Sequence, residues 1–157
     1  MRQSLSEIRP RPPATDIAEG RPPIALVLLA IVLAAALAIA ALVDQVSGRS
    51  LMQHATALYA PHGKDANSGL MYGLLYSIAA TGILFWLLVL RSVRTRSRWA
   101  VALTAAVTTI GAALALLLLT AREYGELIFP TQWGIIALLS SAVGVVLLVQ
   151  LLRGRSS

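Results

Sequence analysis

Cysteine is absent from the 157 residues, which excludes disulfides, thiolate metal centres and cysteine nucleophiles. Lysine is nearly absent as well: Lys64 stands alone against twelve arginines, and with the abundance of alanine this is the usage of a GC-rich bacterial genome. Also missing is any Asp, Glu, Lys, Arg or His within the four apolar runs at residues 24–43, 69–90, 99–120 and 132–152. Proton coupling, ion pumping and voltage sensing need an intramembrane group that binds the ion or moves in the field, so a driven transporter in one chain is disfavoured. No Ser-His-Asp order, Gly-rich phosphate loop or HExxH occurs. The chain is therefore expected not to be an enzyme and to need no cofactor. His54 and His62 match no standard ligand spacing, and the nearby carboxylates come from separate loops, so no metal site is expected.

What is present is apolar surface. Hydrophobic residues make up 57% of the chain and charged residues 13%, a balance that a soluble domain of this size could hold only with large exposed apolar patches. At about 1.5 Å per residue, each of the four runs matches a hydrocarbon layer of roughly 30 Å. The expected fold is all-α: an integral membrane four-helix transmembrane bundle with a short amphipathic helix in the first external loop.

The net charge of +6 is best read by position. Arg2, Arg9, Arg11, Arg21, Arg91, Arg94, Arg96, Arg98, Arg153 and Arg155 fall on one side of the spans, and Arg49, Lys64 and Arg122 on the other. Ten against three is a positive-inside asymmetry that predicts cytoplasmic N- and C-termini in a multi-pass plasma-membrane protein, the bacterial inner membrane being the expected location. The cytoplasmic arginines are also expected to touch anionic lipid, and no nucleic-acid partner is expected.

Residues 1–22 mix Ser, Glu, Arg and Pro and are expected to form a disordered cytoplasmic tail, with Pro10, Arg11, Pro12 and Pro13 as a weak PxxP match. The membrane domain is placed at residues 23–152, followed by a short cytoplasmic tail at 153–157. The run at 24–43 exceeds the roughly 7–15 apolar residues of a signal-peptide core, which predicts a retained anchor. It carries no polar residue and is expected to be peripheral, facing lipid. The loop at 44–68 is expected outside; in it Leu51, Met52, Ala55, Leu58 and Tyr59 follow a helical period, predicting a surface helix. Arg91 to Arg98 reads as a tight cytoplasmic turn flanked by Trp86 and Trp99 as interfacial anchors. The second external loop is placed at 121–131. A faint internal repeat sets Tyr72-Gly73, Gly82 and Arg91 against Trp133-Gly134, Gly144 and Arg153, a pattern that two hairpins related by an axis along the membrane normal would produce.

Three groups of residues are candidate sites. Gly69, Gly73, Ser77 and Thr81 recur every four residues in the second span, and such a seam lets a second backbone approach closely in lipid; the other spans are expected to pack on it, so that a bulky residue at Gly73 would force the core apart. The hydroxyls Ser77, Thr81, Thr108, Thr109, Ser140 and Ser141 fall at mid-span and could meet in a small polar pocket. Outside, His54, His62, Asp65, Glu123 and Glu126 form a candidate polar site if the two external loops meet, with Asp44 a further carboxylate able to stabilise a charged His54. The first functional expectation is a non-enzymatic accessory or interaction subunit that binds a larger membrane protein or itself as a homo-oligomer. The alternatives are an oligomeric conduit for a small solute or ion, and an extracytoplasmic sensor of pH or metal.

Overall fold

The computed structural model describes residues 23–154. The N-terminal tail with its PxxP match and the last residues, including Arg155, lie outside the described residues. Four helices are long and apolar enough to cross a membrane, as expected of a multi-pass membrane protein. They are α1 (Ile24–Val43), α3 (Ser68–Arg94), α4 (Ala100–Thr120) and α5 (Thr131–Arg153), with a shorter α2 (Ser50–Tyr59) between the first two.

The helix ends follow from the sequence. Asn67 caps α3, its side chain accepting from the Leu70 amide at 3.1 Å, which satisfies one of the orphan donors of a first turn. Pro130 precedes α5, where a missing N–H costs nothing. The first span does not stop at Asp44: it runs on through a widened π-turn, Asp44–Gly48, and reverses at Arg49, a non-glycine residue with φ of 49°. The expected loop at 44–68 therefore begins with one more turn of helix. The expected loop at 121–131 contains a two-residue hairpin instead of irregular chain. Strands β1 (Arg122–Glu123) and β2 (Glu126–Leu127) pair antiparallel around Tyr124 and Gly125, whose φ angles are 54° and 86°. Two positive φ values in the turn give the twist that short hairpins prefer.

The helices pack in a ring, α1 against α3 and α5, and α4 against α5 and, more thinly, α3. This overturns the expectation that the first span is peripheral. Val27, Ala30, Ala34, Leu37 and Ala41 of α1 are buried, a stripe at three- and four-residue spacing in which alanines let the neighbouring backbones come close. With both faces apolar, the sequence of this run does not distinguish inward from outward, which is why the stripe escapes a reading based on polarity.

On the opposite diagonal, α3 and α5 use their glycines differently: a Cβ at Gly73 would stand in open space, whereas one at Gly134, its counterpart in the repeat, would stand 2.3 Å from Leu119. Gly82 of α3 faces Ala34 of α1, with 3.5 Å from an added Cβ to the Ala34 Cβ, and Gly144 of α5 faces Thr108 of α4 so closely that a Cβ would stand 2.8 Å from the Trp86 ring. The two buried clusters lie at the two ends: Leu37, Leu51, Tyr72, Leu75, Phe129 and Trp133 at the end carrying α2 and the hairpin, and Val27, Trp86, Val89, Val93 and Leu147 at the arginine end.

Candidate functional site: the faces of α3 and the loop end

The inward face of α3 is Met71, Tyr72, Leu75, Ala79, Trp86, Val89, Leu90 and Val93. The four-residue seam is not part of it. Gly69 and Ser77 are exposed, and a Cβ added at Gly73 meets nothing within 4 Å. The expectation that the other spans pack on this seam is therefore not met within the chain, because the bulkier Tyr72, Leu75 and Trp86 face the neighbours instead. Ser77 donates back to the Gly73 carbonyl at 2.8 Å, a local bond that satisfies the hydroxyl in an apolar surround. Thr81 alone of the four turns toward the interior, lining a cavity.

Trp86 is a second correction. It was expected at the interface, yet it is 3% exposed, and its indole N–H donates to Ser140 Oγ at 2.8 Å. Ser140 in turn donates to the Ala30 carbonyl at 3.1 Å, so three helices share one hydrogen-bonded chain. Such bonds average about 0.6 kcal/mol each between membrane helices; the larger contribution is the burial of the indole. Trp99, by contrast, is 64% exposed at its helix end, as an interfacial anchor would be.

The mid-span hydroxyls do not converge on one pocket. Thr104 bonds the Ala100 carbonyl at 2.7 Å, Thr108 is buried under Gly144 with no hydrogen-bond partner, and Thr109 is exposed. Ser140 and Ser141 do share one cavity, with Thr81 on its far wall.

At the other end of the bundle the two connections meet. His54 Nε2 lies 2.7 Å from the Leu127 carbonyl, and since a carbonyl only accepts, Nε2 carries the proton in this contact. Tyr59 donates its hydroxyl to Glu123 Oε2. His62 stacks on Tyr124 with centroids 3.8 Å apart, and Lys64 Nζ stands 5.4 Å from the same ring. The Glu123 carboxylate, together with desolvation, pushes the Tyr59 phenol up to about 12, because the bond and the adjacent negative charge both favour the neutral hydroxyl. Contact with Tyr124 raises the Lys64 ammonium above its ordinary value. Asp65 and Glu126 are exposed and take no part, so of the candidate polar residues His54, His62 and Glu123 are engaged, by three separate partners. Among the described residues no group of three His, Asp or Glu is placed to hold a metal ion.

Asp44 is a residue whose role the sequence concealed. Its carboxylate accepts from the Ser50 amide at 2.8 Å, the Leu51 amide at 3.1 Å, the Ser50 hydroxyl and the Tyr72 hydroxyl at 2.8 Å. It thereby caps α2 from six residues upstream and ties α1 to α3. A capping signal is normally sought next to the helix start; here the reversal at Arg49 brings it back from the preceding turn. The buried Leu51, Ala55 and Leu58 of α2 then lie on the bundle, as the periodicity of that stretch predicts.

Compared with protein-family models, with curated proteins and with solved structures, the chain matches none.

Proposed function

We propose that this chain is a non-enzymatic interaction subunit of the bacterial plasma membrane, and that the outward face of α3 is where it engages another membrane helix. The observation that carries this reading is the open seam: Gly69, Gly73 and Ser77 lie together on α3 away from its buried residues, and among the described residues nothing lies within 4 Å of a Cβ placed at Gly73. Small residues that no intrachain neighbour uses leave a shallow track into which a partner's side chains can pack, and packing is what drives helix association in lipid. The flanking Leu70 is 64% exposed and supplies an apolar edge.

In this reading both termini are cytoplasmic, the arginines at the α3–α4 turn and after α5 meet anionic headgroups, and the end bearing α2 and the hairpin faces outward. The experiment is affinity purification from native membranes in mild detergent, comparing the wild type with Gly73→Leu. A stoichiometric partner, or a second copy of the chain, should be retained by the wild type and lost by the variant while the variant stays folded. Retention by both would overturn the proposal.

A second reading, an extracytoplasmic sensor, draws support from the contact of the two connections through His54 and Tyr59. The conduit reading has less support, since Ser140 is committed to Trp86 and Ala30 and Thr109 points away from the bundle.

A further inference from the structure

The neighbours α3 and α4 touch least in the ring, and inside the bundle beside that loose contact lies a cavity of about 50 Å³ lined by all four long helices. Its lining includes Thr81, Gly82, Phe85 and Trp86 on α3, Ile110 and Gly111 on α4, Ala34 on α1, and Ser140 and Ser141 on α5. Gly82 and Gly111 add no side chain to its wall: a Cβ at Gly82 would point to Ala34 of α1, and Ser141 Oγ takes the place of one at Gly111. Ile110 on its wall is 45% exposed, so the α4 side of the cavity adjoins the outer surface of the bundle at mid-span.

Two hydroxyls lining it, Thr81 and the more deeply buried Ser141, make no hydrogen bond among the described residues. Ser140 is occupied by Trp86 and Ala30, but Ser141 is free at 4% exposure, and its Oγ points at Gly111, 2.6 Å from where a Cβ there would stand. A buried hydroxyl without a partner costs on the order of 1–3 kcal/mol, more reason to find one in hydrocarbon than in water. At roughly 10–15 Å³ per water-sized centre, the volume of about 50 Å³ admits a group of about three to five non-hydrogen atoms.

We propose that this crevice binds a small neutral molecule carrying one hydroxyl or carbonyl group, entering from the bilayer between α3 and α4. Its polar atom meets Ser141 Oγ, which can both donate and accept, and its short apolar body lies against Phe85, Trp86 and Ile110. A charged ligand is excluded, because no ionisable residue lines the site and its charge would be desolvated without a counterion. A plain acyl chain fills the space but leaves Ser141 unpaired. The site lies deeper along α3 than the open seam, so the binding proposed here neither requires nor disproves a helix partner at Gly73.

The probe is a short-chain alcohol carrying a diazirine, photolysed with the full-length protein in lipid nanodiscs, alongside the matching diazirine alkane without the hydroxyl. Adducts of the alcohol should saturate, concentrate on Thr81, Phe85 and Ile110, and be displaced by unlabelled n-butanol. Ser141→Ala, which removes only the hydroxyl, should weaken labelling by the alcohol roughly fivefold, the worth of one hydrogen bond, and not weaken labelling by the alkane. Gly82→Ala, whose new methyl has ordinary contact with Ala34 at 3.5 Å, should reduce both. Equal labelling of the crevice by alcohol and alkane in the wild type would show a lipid-filled gap and overturn the proposal. So would alcohol adducts spread evenly over outward residues such as Val32 and Val145, which would leave the crevice to water or empty. If Ser141→Ala does not fold, the alcohol-to-alkane comparison in the wild type decides alone.

Discussion

The two faces of α3 are both compatible with lipid, yet they do opposite things. The inward face carries Tyr72, Leu75, Ala79 and Trp86, all at most 3% exposed, and two of these side chains also reach across to Asp44 and Ser140. The outward face carries Gly69, Gly73 and Ser77, with open space at Gly73. In water an apolar face must be covered, so composition and burial coincide. In lipid an uncovered apolar face costs nothing, and burial is decided by which surfaces interlock. Small residues thus mark where a helix can be approached closely, by its own chain or by another.

Breaking the inward face should have the largest effect. Trp86→Ala removes a buried indole from the junction of α1, α3 and α5 and is expected to destabilise the bundle by about 3–5 kcal/mol, read by thermal or detergent-induced unfolding. Leu70→Ala on the outward face should shift the same transition by less than about 0.5 kcal/mol. If the two losses are alike, the faces have been assigned wrongly.

Asp44→Ala should follow, at about 1–3 kcal/mol, since it leaves the first amides of α2 and the Tyr72 hydroxyl without their acceptor. Hydrogen exchange should show α2 opening before the long helices do, whereas uniform loss of protection would contradict a local capping role. Gly144→Ala is expected to cost about 1–3 kcal/mol through overpacking, because its Cβ would stand 2.3 Å from Thr108 Oγ1 and 2.8 Å from the Trp86 ring. Gly73→Ala, placed in open space, should leave the unfolding transition where it is, and the pair of glycine variants measures the difference between an occupied and an unoccupied approach.

Among the variants expected to destabilise the protein measurably, the smallest effect should come from the loop end, away from both faces. Tyr59→Phe deletes one bond to Glu123 and should cost about 1 kcal/mol. The phenol is raised in the folded protein from an ordinary value near 10 to about 12. Its contribution is therefore complete below pH 10 and is lost as pH rises from about 10 through about 12. An absorbance titration should accordingly show Tyr59→Phe lacking one late-titrating phenol present in the wild type. A difference that titrates near 10 would mean that Glu123 does not hold Tyr59.

Much of the architecture could be read from the residues. The four apolar runs match the four helices to within a few positions, since a membrane-length run without charge has few other uses. The period of Leu51, Ala55 and Leu58 matched the buried side of α2, because there polar residues occupy the other side and the pattern carries contrast. The apolar spans carry no such contrast. Nothing in Ala30, Ala34 and Ala41 marks them as inward, and nothing in Gly73 marks it as outward. Trp86, near the end of its run, has the position of an interfacial anchor, and only the hydroxyl of Ser140 opposite it draws its N–H inside. Asp44 and the Glu123-Tyr124-Gly125-Glu126 hairpin escaped for a related reason: the cap acts across a reversal, and the turn has tyrosine where asparagine or aspartate would have signalled it.

The claim that the outward face of α3 receives a partner is tested most directly by photo-crosslinking in native membranes. A photoreactive residue is placed at Ser77 and, as a control, at Val145, which is 53% exposed on α5. The account predicts a single protein adduct of defined mass from Ser77, abolished by adding Gly73→Leu, and only lipid adducts from Val145. Lipid adducts alone from both positions, with or without Gly73→Leu, would contradict it.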